Sequence, residues 1–530
     1  MPNIKKHYYH VAIIGGGITG ASAAHILHEG SEKLRRRQND GGSSSKVTEI
    51  ILRVDLFDQG RSGIGGRASH RRRQQVPSSL LNNNTEKDED ADETMMMMMR
   101  WDHGCQFFRA DTSRFKSLTD LLINEGAVLE WKGNFIKSEN DSGGDRVQRD
   151  FFGFPLKPPF YVGVGGMQNV SKSIINRILS KDQEEQEGKA FLNVYTKTRV
   201  ANMERDEMSR KWKLFGTSGV CAFHDTPEKV VLQQQNLSKS NHNESGKNPL
   251  GEPDGYDAII LTDISSSFGS WHRASAGVPE SFACKVRERV GARVPLFTTM
   301  IAFERATKIP FDAASFDGNN NNNDDDVLWF ASKSNSKPGV MNNKYGEESD
   351  SRSWTECWTL VSTPEYAMKK IEETPMQDPV TREFIPQSKD YLLNVPGFDL
   401  KTAFYKEITS KDGILGEEGA LRYSTIPESL HVDAQRWGSA LPAPRNLKDC
   451  SITRKIISGV AYDSGVSSLA PTAVVDCRHN DKKTFLVDDD FMLFQAGDMV
   501  STLTPGFEGA SISGMDAAEY LLDKIRSSFS

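Results

Sequence analysis

The chain has 530 residues, 26% of them charged, and a formal net charge of −7. That length predicts more than one domain and a large core, and the acidic balance argues against a general nucleic-acid binder. Cysteines stand at 105, 221, 284, 357, 450 and 477 without a C-x-x-C pair, so neither a zinc site nor a disulfide framework is expected and the thiols read as reduced.

The hydrophobic fraction of 37% lies below the ~45–50% usual for a globular chain, a range that also counts glycine. No apolar run approaches the ~18 residues of a membrane span. The opening MPNIKKHYYH has no apolar stretch, and a strand follows it directly. The expectation is a chain without a membrane span, soluble and cytoplasmic, with organellar import left open.

The first element is Val11 to Leu27, VAIIGGGITGASAAHIL. Four apolar residues run into Gly15, Gly17 and Gly20, and a small-residue helix pattern follows from Ala21. Strand, glycine turn and helix start come in the order a dinucleotide site needs. Gly15 permits the sharp turn, Gly17 lets backbone approach a pyrophosphate, and Gly20 lets helix and strand pack. The helix N-terminus offers free amides and a partial positive charge to phosphates.

Glu49 to Asp58, EIILRVDLFD, reads as a second strand ending in an acid that suits a ribose hydroxyl. The loop-like Ser31 to Lys46 stretches the usual spacing. Gly60 to Arg67, GRSGIGGR, is a second glycine-rich turn carrying a fixed cation.

Arg114 to Gly126 and Met167 to Leu179 read as helices. Val194 to Asn202 pairs with Lys211 to Phe215 as strands, and Tyr256 to Thr262 is a buried strand. Glu356 to Ser362, Met492 to Ala496 and a final helix over Ser511 to Ile525 complete the pattern. Trp329, Phe330, Trp354 and Trp358 read as strand core.

Polar stretches near 31–46, 71–99, 236–254, 317–326 and 334–353, with Lys137 to Arg149, read as inserts that build no core. Arg35 to Arg37 and Arg71 to Arg73 border them and read as solvated loop charge. Strand–helix alternation at both ends around a β-rich middle predicts an α/β chain: a Rossmann-type domain built from separated segments, with a second domain inserted into it.

The third glycine cluster is Leu493 to Gly514, LFQAGDMVSTLTPGFEGASISG. Together the three clusters resemble the flavin-dependent amine oxidase superfamily, and within it the renalase-like FAD/NAD(P)-binding oxidoreductases. Trp101 to Phe108, WDHGCQFF, is similar to that group's D-H-G-x-Q-Y/F segment. Tyr161 to Met167, YVGVGGM, resembles its Y-V-G-x-x-G-M, and Gln435 to Pro442, QRWGSALP, its R-W-x-x-A-x-P. The resemblance runs from residue 10 to about 525.

It implies a p-hydroxybenzoate hydroxylase/amine oxidase-like architecture. Residues 1–112, 160–265 and 465–530 would form the FAD-binding domain; 113–159 and 266–464 would form an α+β substrate domain. It also implies FAD held by Gly15, Gly17, Ile18, Thr19 and Gly20, by Asp58 and Gln59, and by Gly65, Gly66 and Arg67. Gly104 and Gln106 would line the isoalloxazine face, and Val200 would touch the adenine side through its backbone. Gly497 and Asp498 would reach the ribityl or pyrophosphate region, and the helix carrying Glu508, Gly509 and Ala510 would point at the pyrimidine end. No cysteine lies in the terminal motif, so the flavin would be non-covalent. Phe107 or Phe108 stands where the family often has tyrosine.

No catalytic residue beyond the flavin is assigned; His103, Gln106, Phe108 and Trp437 are candidates near it. His103 is either a packed histidine or an acid/base without a named partner. Arg436 and Trp437 are either a pocket wall with a cation for an anionic substrate or a core tryptophan beside a surface arginine. The resemblance implies hydride transfer from a small substrate, a dihydronicotinamide isomer, with oxygen as acceptor and hydrogen peroxide as product. The alternatives are a flavin amine oxidase and, in another class, a binding protein like the prenylated-GTPase chaperones, without FAD catalysis. No metal is expected.

Overall fold

The computed structural model describes residues 5–36, 48–60, 63–75, 97–137, 158–184, 191–218, 249–268, 277–291, 293–316, 327–340, 355–375, 387–442, 483–503 and 506–529. Elements are labelled in chain order.

Six strands form the first sheet in the order β17 (Leu486–Asp488), β18 (Leu493–Gln495), β11 (Ala258–Leu261), β1 (Lys5–Ile14), β2 (Thr48–Asp58) and β8 (Leu192–Thr196). All pairs are parallel except β17–β18. Burial on both faces explains the continuous apolar runs. Val11, Ile13, Ala258 and Ile260 pack into one cluster, with α1 (Ile18–Arg36), α3 (Gln168–Glu184) and α7 (Phe507–Ser528). Ala12, Ile259 and Leu261 join another, with α4 (Glu280–Val290) and Trp212. Alternate residues thus serve opposite layers. β1 is central, and the sheet order reverses between β1 and β11, where an open parallel sheet leaves a crevice.

The second six-stranded sheet runs β16 (Ser429–Pro442), β12 (Arg293–Phe303), β15 (Glu356–Ser362), β14 (Leu328–Lys333), β13 (Ala313–Ser315) and β6 (Phe135–Lys137). It is antiparallel apart from β13–β6. Phe297, Ile301, Trp358 and Leu360 pack on α5 (Pro364–Glu373) and α6 (Phe398–Thr409). Three ribbons complete the framework: β3 (His70–Gln75) with β4 (Met97–Asp102), β5 (Val128–Glu130) with β7 (Tyr161–Gly163), and β9 (Thr198–Arg205) with β10 (Trp212–Ser218). Helix α2 (Ser113–Asn124) packs Phe115, Leu118 and Leu122 into the first cluster.

Four expectations are corrected. Ser31 to Arg36 is not loop: α1 continues through it, because Leu34 lies seven residues beyond Leu27 and both are buried on one face. Val194 to Asn202 is not one strand. Lys197, at φ +53°, breaks it into β8 of the main sheet and β9 of a ribbon. Arg71 to Gln75 and Met97 to Met99, expected in an insert, form β3 and β4, since Met99 and Trp101 pack on Met300, Ala302 and Cys357. Leu250 bridges to Leu214, and Ser334 and Lys337 are buried, so the ends of two further inserts belong to the core. The expectations for 38–46, 76–96, 138–149, 236–248, 317–326 and 341–353, and for Trp354, lie outside the described residues.

Among the described residues no helix is long and apolar enough to cross a membrane, and no cluster of metal-ligating side chains occurs.

Candidate functional site

The chain reverses between β1 and α1 within Gly15, Gly16 and Gly17. Gly15 sits at φ +111°, and a Cβ there would overlap the Thr262 hydroxyl. That hydroxyl donates to the carbonyls of Ile14 at 3.0 Å and Gly15 at 3.2 Å. At Gly20 a Cβ would overlap the Gly15 carbonyl; at Gly17 it would meet nothing closer than the Gly66 Cα at 3.8 Å. The amides of Ile18, Thr19 and Gly20 find no backbone acceptor among the described residues. They are the orphan donors of a helix start, at the positive end of its dipole.

Asp58 ends β2 and is 6% exposed. Its two oxygens accept from the Gly16 and Gly60 amides, each at 2.8 Å. Burial pushes this carboxyl above its ordinary range, and the two amides partly offset that. A carboxylate has about four acceptor positions, so two remain for a further donor. Gln59 follows it, half-buried. The second glycine segment then returns onto the first: the Gly65 amide donates to the Gly16 carbonyl at 3.0 Å. Gly66, at φ +54°, lies so close that a Cβ would be 3.2 Å from the Gly17 Cα.

The third segment reaches the same place. The Gly497 amide donates to Ser513 Oγ at 2.9 Å, and a Cβ at Gly514 would overlap the Thr19 carbonyl. Helix α7, whose first turn carries Gly509 and Ala510, therefore packs against the start of α1. Arg67 donates through Nη1 to Asp498 Oδ2 at 2.9 Å and through Nη2 to Oδ1. Its Nη1 also donates to the Ala440 carbonyl at 2.8 Å. One guanidinium joins the second and third glycine segments to β16.

Beside Arg67 lies the 101–108 segment. The Cys105 amide donates to the Arg67 carbonyl at 2.9 Å, and burial pushes the Cys105 thiol up to about 12. A Cβ on Gly104 would overlap the same carbonyl and come within 3.3 Å of the Trp437 ring. Trp437 Nε1 donates to the His103 carbonyl at 2.9 Å, with the two rings 5.3 Å apart. Gly15, Gly17, Gly20, Asp58, Gly65, Gly66, Arg67, Gly104, His103, Trp437, Gly497 and Asp498 are thus connected around the mouth of the switch point.

The remaining expected residues have the following partners. Gln106 donates to the Asp102 and Gly104 carbonyls at 2.6 and 2.9 Å, and its Oε1 accepts from Ser332 at 2.8 Å and Lys337 at 3.4 Å. Its amide capacity is spent, so it braces the segment. Phe108 stacks on Phe507 at 4.8 Å as core. Glu508 accepts from the Asp111 and Thr112 amides at 3.1 and 2.6 Å, at the start of α2. Val200 pairs with Gly216 in the β9–β10 ribbon.

Lys337 lies in a serine-rich stretch of the sequence. Its ammonium donates to Asp102 Oδ2 at 3.0 Å, with both side chains at most 2% exposed, and lies 5.2 Å from the Trp131 ring. Asp102 Oδ1 accepts from the Met167 amide at 2.9 Å. No local signal marks Lys337, because its partner is 235 residues away.

No family model matches the sequence, and no curated protein does. Among solved structures, a double mutant of putrescine oxidase, from a structure-based redesign of its cofactor binding, aligns with a TM-score of 0.44 at 10% identity. The alignment covers 98% of this chain and 100% of that one. A likeness of that degree assigns neither fold nor chemistry to this chain.

Proposed function

We propose that this chain is an FAD-dependent oxidoreductase of the flavin amine oxidase superfamily, renalase-like in taking hydride from a dihydronicotinamide isomer and passing the electrons to oxygen. The observation that carries this reading is the meeting of three glycine segments at the switch point, beside helix amides that have no backbone acceptor among the described residues. The donor set suits a dinucleotide: the Ile18 to Gly20 amides for a diphosphate, and Asp58, with acceptor capacity left, for ribose hydroxyls. Gly17 and Gly66 let the first two glycine segments close on each other, since a Cβ on Gly66 would lie 3.2 Å from the Gly17 Cα.

FAD bound there would supply a two-electron acceptor that oxygen restores. The balance is dihydronicotinamide plus oxygen plus a proton, giving nicotinamide cation and hydrogen peroxide. The protein's own task is positioning. Gly104, held against Arg67, keeps side-chain bulk away, and Trp437, fixed by its bond to the His103 carbonyl, supplies a flat apolar wall for a ring. No proton needs to be removed from the substrate, so no base is required.

The amine oxidase alternative needs a site tolerant of an ammonium group. Arg71 and Arg73 of β3 reach Asp433, Gln435 and His431 of β16 and disfavour a free cation on that side. Anaerobic mixing of the FAD-loaded protein with dihydronicotinamide isomers and with simple amines tests the proposal. Flavin bleaching by the isomers is expected; bleaching by amines alone would overturn it.

A further inference from the structure

We infer that the face of the β3–β4 ribbon turned toward α3 is a binding site for a phosphate dianion, free or carried by a small phosphomonoester, with Arg72, Arg100 and Lys172 as its cations and His70 beneath them. This site is independent of the oxidoreductase reading above. In the ribbon His70 pairs with Asp102 and Arg72 with Arg100, so these four side chains share one face. Arg71 and Arg73 take the other face, toward Asp433 and His431 of β16.

Two bare glycines bring the Arg72 face against the start of α3. Gly165 and Gly166 lie at φ +75° and +116°. A Cβ on Gly165 would come within 2.8 Å of Arg100 Nη1, and one on Gly166 within 2.8 Å of His70 Nδ1. Arg100 Nη1 donates to the Gly165 carbonyl at 2.5 Å, which fixes its guanidinium. Lys172, one turn into α3, lies near His70 together with Arg72 and Arg100.

The carboxylate on this face is already spent. Asp102 accepts from the Lys337 ammonium and from the Met167 amide. Arg72, Arg100 and Lys172 form no salt bridge with a carboxylate among the described residues. Like charges directly opposite each other destabilise a ribbon. Burial, and then the neighbouring guanidiniums, push the Arg100 and Lys172 pKa values down. Two buried nitrogens, His70 Nδ1 and Arg100 Nε, have no hydrogen-bond partner among the described residues, and His70 is 4% exposed. Orphaned polar atoms of this kind call for a partner from outside. A phosphate dianion answers both needs: it offsets the repulsion, and its oxygens accept from two guanidiniums, an ammonium and an imidazole N–H. Arg72 is exposed, so the anion arrives from solvent on that side. A monoanion sets one charge against three cations and should compete poorly.

Isothermal titration of the full chain with inorganic phosphate and with glycerol 3-phosphate tests the site, at saturating FAD so that the α1 amides are occupied. One phosphate per chain should bind saturably. Tighter binding of inorganic phosphate would mark a free anion as the ligand, and tighter binding of the ester a phosphomonoester. Arg72→Gln and Lys172→Gln should each weaken binding about tenfold or more, Arg72→Lys less, and Arg73→Gln, on the opposite face, not at all. Should the flavin reading fail, the contrast between Arg72 and Arg73 still reports on this face alone. In phosphate-free buffer Arg72→Gln should melt no lower than the unaltered chain, because repulsion is relieved; phosphate should raise the melting temperature of the unaltered chain and not of the variant. Absence of saturable binding, an equal loss in Arg73→Gln, or competition by acetate as strong as by phosphate at equal ionic strength would overturn the site. A lower melting temperature for Arg72→Gln in phosphate-free buffer would overturn it too, since the cations would then already have a counter-charge.

Discussion

Arg67 and Asp498 lie 431 residues apart and form a two-pronged ion pair at the switch point of the first sheet. Asp498 is 3% exposed, and the same guanidinium holds the Ala440 carbonyl of β16. Arg67→Met would leave a buried carboxylate without its partner. Hydrogen bonds to charged groups contribute about 1.5–3 kcal/mol. A loss of that size in urea unfolding is expected, with Arg67→Lys recovering only part because an ammonium cannot reproduce the fork. An unchanged midpoint would contradict the pairing.

Two glycines of one turn should behave differently. Gly20→Ala forces a methyl group into the Gly15 carbonyl and should destabilise the fold by about 1–3 kcal/mol. Gly17→Val puts its Cβ no closer than 3.8 Å to Gly66, an ordinary contact, and as a poor residue just before a helix start it should cost about 1 kcal/mol or less. It should nonetheless lose FAD, because its side chain occupies the diphosphate's approach. Thermal melting and flavin occupancy, measured on both variants, separate the roles.

Lys337→Met strands the Asp102 carboxylate in a dry site. Breaking such a buried pair typically costs about 3–5 kcal/mol. Adding Asp102→Asn removes the uncompensated charge, so the double variant should be more stable than Lys337→Met alone. A double-mutant cycle reads the coupling directly. Additive losses would mean that Lys337 and Asp102 do not act as a pair.

Much of this was readable in the chain, and the limits have physical causes. The β1–turn–α1 unit was legible because apolar run, glycines and helix start are consecutive. Asp58 was legible as the acid closing an apolar strand. Gln106 lies beside the site, and its partners Ser332 and Lys337, distant in sequence, have no local signal. The pairing of Glu508 with the Asp111 and Thr112 amides is equally non-local, because it depends on how α7 meets α2. Arg71 to Arg73 read as loop charge because the composition is polar. Their strand is set by the Met99 and Trp101 side of its partner.

His70 provides a pH signature. Burial, with the nearby cations Arg72, Arg100 and Lys172, lowers its pKa to about 3. An unfolded histidine titrates near ~6.5. Between these values the unfolded chain binds the extra proton, so stability should fall as pH drops from about 6.5 toward 3. His70→Gln, which cannot titrate, should flatten that part of a melting-temperature profile. An unchanged slope would show that His70 does not contribute.

If the three glycine segments form one flavin cradle, titrating the purified chain with FAD will reveal it directly. Saturable binding of one FAD per chain, a protein-bound visible flavin spectrum and an increase in melting temperature are expected. A protein that stays colourless, with no heat of binding and no thermal shift at saturating FAD, would contradict it.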